Sequence, residues 1–194
     1  MTLEQTLENE VIAFWRDAGP KTWFAKDEAF DAEIRARFEP LHLAAARGEL
    51  NDWDETAEGS LALLLLTDQF PRNLYRGSAH AFATDALARN VAEQAIAAGF
   101  DKQFEPALRP FFYLPFEHSE AMDDQDRAIV LFEALGDKST LDYAVLHRAL
   151  IVRFGRFPHR NICMGRVSTA EELEYLADGG FGGQPPPSPP RQAG

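Results

Sequence analysis

The chain reads as all-α, an arrangement of antiparallel helix pairs, on three observations. No stretch alternates apolar and polar residues with a period of two for long enough to make a strand. Apolar residues recur at helical spacing in one segment after another, and Gly or Pro separates the segments at about the length of one helix. About seven helices joined by short connections, as in an irregular helical bundle, satisfy all three.

The first helix is expected to begin at Thr2, which makes a capping box with Gln5, and to carry Val11, Ile12, Phe14 and Trp15 until Gly19-Pro20 stops it. A second runs from Asp27 through Phe30, Ile34, Phe38 and Leu41 to Gly48. Pro40 lacks an amide hydrogen and is expected to kink or split that helix. "ETAEGSLALLLLTDQF" is apolar on nearly every side from Leu61 to Leu66, the composition of a central helix surrounded by others, and Pro71 is expected to end it. "FATDALARNVAEQAIAAG" gives an Ala-rich helix closed by Gly99, and "PALRPFFYLPF" a short helical turn bracketed by Pro106, Pro110 and Pro115. "SEAMDDQDRAIVLFEALG" closes at Gly136. Ser139 is expected to cap a helix from Thr140 to Phe154, and Ser168 with Glu171 to box a last short one that stops near Gly179-Gly180.

At 194 residues the chain is long enough to bury a sizeable core, so residues 1–181 are expected to form a single helical domain. Residues 182–194 are expected to be a disordered Pro-rich tail, because proline cannot continue a helix and nothing apolar is left to bury. The tail contains a P-x-x-P-x-R string from Pro186 to Arg191, of a kind that proline-rich segments produce easily.

Nineteen Lys plus Arg against 31 Asp plus Glu give a net charge of −12, which repels phosphate backbones and makes nucleic acid an unexpected partner. The longest strongly apolar run, "LALLLL", is far shorter than the roughly 20 residues a membrane span needs, and "MTLEQTLENE" lacks the basic and apolar regions of a signal peptide. No membrane association is expected, and a cytoplasmic location is. One cysteine, Cys163, excludes an intrachain disulfide and suits a reducing compartment.

Two segments echo each other. "LALLLLTDQFPRNLYRG" and "HRALIVRFGRFPHRNICMGR" each carry an apolar helix into Phe-Pro, then Arg-Asn, then a Gly. Phe anchoring the corner, Pro ending the helix, Asn capping and Gly completing the turn explain everything in this pattern except the charge around it. Asp68, Gln69, Arg72 and Asn73 belong to the first corner; His147, Arg148, Arg153, Arg156, His159, Arg160 and Asn161 lie in or after the second helix.

Charge placed inside apolar helices costs several kcal/mol per ion unless it is paired, so these groups pair with one another, reach solvent or bind something. Asp68 and Arg72, four apart on a helix, are close enough to pair. Arginine concentrates in these motifs while lysine is scarce, and the guanidinium fork suits carboxylate or phosphate. "FEHSE" adds Glu117, His118 and Glu120, where a histidine beside carboxylates can form an acid and base pair or reach Arg153 or Arg160. Glu117, Glu120 and Asp68 are the available partners for Arg153, Arg156 and Arg160.

No metal site is assigned. His118, Glu120, His147 and His159 have the right chemistry, but H-E-x-x-H is absent and the one E-x-x-H, Glu39 to His42, is interrupted by Pro40. G-x-G-x-x-G, G-x-x-x-x-G-K-[ST] and G-x-S-x-G are absent too, so no cofactor is expected.

Several long motifs resemble the bacterial family of domain of unknown function 924. They are "FWRDAGPKTWFAKDEAFDAEIRARF", "LLLLTDQFPRNLYRGSAHAFATDALAR", "FFYLPFEHSE" followed by "DDQ", and "RFGRFPHRN" with "GRVSTAEELEYL". The likeness covers roughly residues 8 to 181 and implies an all-helical, tetratricopeptide-like fold, with no catalytic residue to carry over.

Taken with the residues, this points to a helical binding or scaffold protein with an Arg-rich polar pocket for a small anionic ligand or a partner peptide. The alternative is an enzyme acting on a small acidic substrate by histidine and carboxylate acid-base chemistry. The ligand-binding candidates are Asp68, Arg72, Asn73, Glu117, His118, Glu120, His147, Arg153, Arg156, His159, Arg160 and Asn161.

Overall fold

Thr2 Oγ1 accepts a hydrogen bond from the Gln5 amide and the Thr2 amide donates one to Gln5 Oε1, so the first helix, α1 (Leu3–Ala18), starts on the capping box its sequence spells. The computed structural model describes residues 2–180, and every regular element among them is helical. The expected Pro-rich tail, with its P-x-x-P-x-R string, lies outside the described residues. No helix among the described residues is long and apolar enough to cross a membrane. The chain divides into two compact units, Met1–Pro115 and Phe116–Gly194.

In the first unit α1 is followed by the single turn α2 (Pro20–Trp23) and the long α3 (Glu28–Ala46), capped by Asp27. Aromatic rings knit them together: Trp15 is fully buried, stacks on Trp23 with centroids 6.1 Å apart, and meets Phe111 edge-on at 5.5 Å. Pro40 neither ends nor splits α3. The carbonyl that proline deprives of a donor belongs to Ala36, and both residues are exposed, so water satisfies it.

The central apolar helix also continues past its proline. It runs as α4 (Ala57–Leu64), one π-helical turn (Leu65–Gln69) and α5 (Phe70–Leu74), with Pro71 inside. A π turn shifts the acceptor register, and Pro71 brings no amide hydrogen, so carbonyls near Leu66 lose helical donors in a segment with no access to water. Side chains replace them. His42 Nδ1 donates to Leu66 O (2.8 Å), Thr84 Oγ1 to Thr67 O (2.6 Å), and Arg72 Nη1 to Asp68 O. Because a carbonyl only accepts, His42 carries its proton on Nδ1. Burial holds its pKa below the ordinary histidine value.

After a short 3-10 turn (Ala79–Phe82), α6 (Asp85–Ala97) packs against α4, and Gly99 ends it in the left-handed conformation (φ 74°). The prolines of "PALRPFFYLPF" frame α7 (Pro110–Glu117), which holds Pro115 in its last turn.

The second unit is built around α8 (Met122–Leu135) and α9 (Lys138–Phe154), which pack on each other along much of their length. Gly136 (φ 79°) closes α8 and Gly155 (φ 68°) closes α9. A small core of Leu150, Ile151 and Phe157 takes in Met122, Phe154 and Tyr175 at its edge. Two caps differ from the sequence reading by a residue or two. Asp137, not Ser139, caps α9 through the Thr140 amide. Thr169 and Glu172, not Ser168 and Glu171, box α10 (Ala170–Ala177). In both, a second side chain of cap type stood beside the one that won.

Candidate functional site

The candidate residues fall into both units. Asp68, Arg72 and Asn73 belong to the first; Glu117, His118, Glu120, His147, Arg153, Arg156, His159, Arg160 and Asn161 belong to the second.

In the first unit the charges pair with one another. Arg72 pairs with fully buried Asp68 (Nη1 to Oδ1, 3.2 Å) and reaches both carboxylate oxygens of Asp85 at 3.1 and 3.2 Å. Asn73 Nδ2 donates to Asp31 Oδ1 (2.7 Å), which Arg76 also holds through two bonds. Burial alone would raise Asp31, but Arg76 and Asn73 outweigh it and hold the carboxyl below its ordinary value.

The second corner repeats this chemistry in another backbone. Phe70-Pro71 lies within a helix, whereas Phe157 is extended and Pro158–Arg160 is a 3-10 turn. Yet Asn161 Nδ2 again donates to a carboxylate, Glu172 Oε2 (3.2 Å), which an arginine again grips twice: Arg156 at 2.6 and 2.8 Å. Both corners close on a left-handed glycine, Gly77 and Gly165. Arg156, with the Thr169 amide and Asn161, draws the Glu172 carboxyl down to about 2.

Arg148, Arg153, Arg156 and Arg166 find partners on α8, on α10 and in the turn before α8. Arg153 pairs with Glu171 (2.7 Å) on the surface and Arg148 with Asp126 (2.6 Å). Glu120 takes two bonds from Arg166 (2.7 and 3.0 Å) and one from the Phe157 amide (2.8 Å). Burial would raise Glu120; the Arg166 and Phe157 bonds outweigh it and hold it below the ordinary range. Glu120 precedes α8 without capping it, and the bonds from Arg166 and the Phe157 amide fix its side chain. Arg166, Glu172, Asp31 and Asp85 were invisible as partners in the sequence because each is a surface-type residue outside the apolar helices.

The second unit also holds a histidine cluster. Glu117 is the last residue of α7, where the helix dipole does not favour a negative side chain. It is 3% exposed, and its Oε1 lies 2.8 Å from His147 Nδ1 on α9. The same nitrogen lies 2.9 Å from Tyr143 O, one turn earlier. Flanked by two oxygens, Nδ1 is the protonated nitrogen of His147. His118 follows Glu117, and its ring meets His147 at 6.1 Å between centroids. Glu117, His118 and His147 each offer a donor atom within 4.8 Å of the other two.

The turn that carries Glu117 and His118 is fixed from beneath. Gln125, fully buried on α8, donates from Nε2 to Glu117 O (2.6 Å) and Ser119 O (2.7 Å), supplying a donor to carbonyls that a helix end leaves open. Its role was legible only as part of the string "DDQ". Phe157 lies under the other side: its ring meets His147 edge-on at 5.5 Å and His159 at 5.6 Å, and Arg160 Cζ lies over it at 4.5 Å. His159 keeps an open face to solvent, but the protein crowded around its ring, and then the charge of Arg160, lower its pKa to about 4. Three of the five histidines in the chain are thus gathered in one unit around one buried carboxylate.

The model of a bacterial family described as protein of unknown function (DUF924) matches residues 11–180. A solved structure of the protein of unknown function ATU0120 from Agrobacterium tumefaciens is 50% identical over 90% of this chain and 98% of that one, with a TM-score of 0.87. No curated protein matches the chain.

Proposed function

The chain belongs to the bacterial DUF924 family, whose description names no activity, and from the side chains alone we propose that it is a helical binding protein whose ligand site is the histidine cluster of the second unit. The ligand in this reading is a small acidic molecule. It enters beside His118 and His159 and meets Arg160, with the Glu117–His147 pair behind.

The observation that carries the reading is the buried contact between Glu117 and His147 at 2.8 Å, with two further histidines around it. Elsewhere charge is explained by pairing: Arg72, Arg76, Arg153, Arg156 and Arg166 each hold a carboxylate of their own unit. A histidine held by a buried carboxylate, with further ionisable groups clustered beside it, is the arrangement that functional sites favour. Of the arginines read from the sequence, Arg160 is the one whose guanidinium shares the Phe157 ring with His147 and His159, so the reading centres there.

The acid-base alternative is favoured by the same pair. A carboxylate that orients a histidine through Nδ1 leaves Nε2 to take a proton from a bound molecule. Which use prevails depends on whether the bound acid is changed.

A thermal-shift screen of inorganic phosphate and small mono- and dicarboxylates tests the site. The expected result is a concentration-dependent rise in melting temperature that His118→Ala abolishes. No rise with any of them, or an equal rise in His118→Ala, sinks the reading.

A further inference from the structure

We propose that Glu117, His118 and His147 hold a divalent first-row transition metal ion, and that this ion is what the small acidic ligand meets. The inference rests on the reading that the histidine cluster is the functional site, and it names the group that makes the site work.

Two imidazoles and one carboxylate are a recurrent donor set for zinc and ferrous iron when coordination positions must stay open. Here the three donor atoms lie within 4.8 Å of one another. Zinc bonds of about 2.1 Å separate the ligands of a tetrahedron by about 3.4 Å, so side-chain rotations of about 1 Å close the set. The edge between Glu117 Oε1 and His147 Nδ1, 2.8 Å, is a hydrogen-bond distance and opens by about 0.6 Å to admit the ion. The ion takes the place of the hydrogen between them, and the His147 proton moves to Nε2.

The donors stand on supports that a metal site requires. His147 is in the middle of α9, a helix of 17 residues packed on α8. Gln125 fixes the main chain around Glu117 and His118 through the carbonyls of Glu117 and Ser119. Such outer contacts orient ligands and are as much a part of a site as the donors. Glu117 also answers an electrostatic need. It sits at a helix end that favours cations, and a metal ion there meets both the carboxylate and the negative end of the α7 dipole.

Three ligands leave at least one position open. A carboxylate or phosphate is a natural ligand for that position, which ties the metal to the class of ligand already proposed.

The test is titration of the metal-stripped full chain with zinc alone by calorimetry, and with cobalt alone by visible absorption. The expected result is one ion per chain, a cobalt spectrum of nitrogen and oxygen ligation, and at least a tenfold loss of affinity in His118→Ala and in Glu117→Gln. His80→Ala, an exposed histidine of the first unit, should bind as the native chain does. Circular dichroism of each variant establishes that it is folded. Should His118→Ala fail to fold, the milder Glu117→Gln and the cobalt spectrum of the native chain carry the test. Absence of stoichiometric binding, or binding untouched by both variants, overturns the metal. If phosphate or a dicarboxylate still raises the melting temperature of the metal-free chain, the ligand site survives and only the ion fails; if neither binds, both fall.

Discussion

Glu117 and His147, thirty residues apart in sequence, meet at 2.8 Å in a place closed to water, and Tyr143 O completes the shell of His147 Nδ1. Truncating Glu117 removes one of the two oxygens that flank His147 Nδ1. Glu117→Ala is expected to lower stability by about 1–3 kcal/mol, the cost of leaving a buried polar group short of a partner. Glu117→Gln keeps an acceptor and should cost less than half as much. Urea unfolding of both variants checks the difference, and equal losses would mean that the acceptor is not what matters.

Acid should expose the Glu172 anchor. Its carboxyl titrates at about 2 when folded, against about 4.3 for an unfolded glutamate, so the folded state binds fewer protons between these values. The stability it contributes is complete above about pH 4.3 and is lost as pH falls towards 2. The full shift would be worth about 3 kcal/mol, but the layer of protein over Glu172 is thin and solvent screens the pair, so about 1–2 kcal/mol is expected. Melting temperatures from pH 6 to pH 2 should fall steeply for the native chain and less so for Glu172→Gln, which starts lower. Parallel curves would refute it.

The helices were legible because their signals are local: the Thr2-Gln5 box, the Gly99, Gly136 and Gly155 ends, the unbroken apolar run of α4. The prolines misled, and for one reason. Proline's cost depends on whether the acceptor it strands finds another donor, and that donor is distant in sequence: water at Ala36, His42 and Thr84 around Pro71. The site was half legible on the same principle. Glu117, His118, His147 and His159 stood out as polar residues in apolar surroundings. That Arg153 and Arg156 would be taken by Glu171 and Glu172 did not, because α10 looks like any acidic surface helix.

His42 is the clearest case of a histidine with a structural task. It satisfies Leu66 O, while Thr84 satisfies Thr67 O. Replacing His42 with Phe or Thr84 with Val should each cost about 1–3 kcal/mol through a buried carbonyl left without its donor. Neither should alter ligand or metal binding at Glu117, His118 and His147. Combining equilibrium unfolding with the thermal-shift screen separates the two histidine roles. A His42→Phe chain that is as stable as the native one would show that the π turn needs no side-chain donor.

Gly59 sets the tightest limit on the central helix. It lies in the first turn of α4, capped by Thr56, and a Cβ built there would stand 2.0 Å from Trp53 O and 2.8 Å from the Trp53 carbonyl carbon. The obstacle is backbone, which cannot rotate aside as a side chain could. Alanine is favoured over glycine in a helix by about 1 kcal/mol, so a surface-type rule predicts that Gly59→Ala stabilises. Overlap at this distance outweighs that gain, because the turn holding fully buried Ser60 and nearly buried Trp53 would have to move from the start of α4. A net loss of about 3 kcal/mol or more is expected, measured by urea unfolding at neutral pH. Gly77→Ala provides the contrast: its Cβ would meet nothing within 4 Å, and the loss there should be no more than the roughly 1–2 kcal/mol that its left-handed conformation (φ 75°) imposes on alanine. Equal losses at the two glycines would show that close approach to Trp53 does not set the requirement at Gly59.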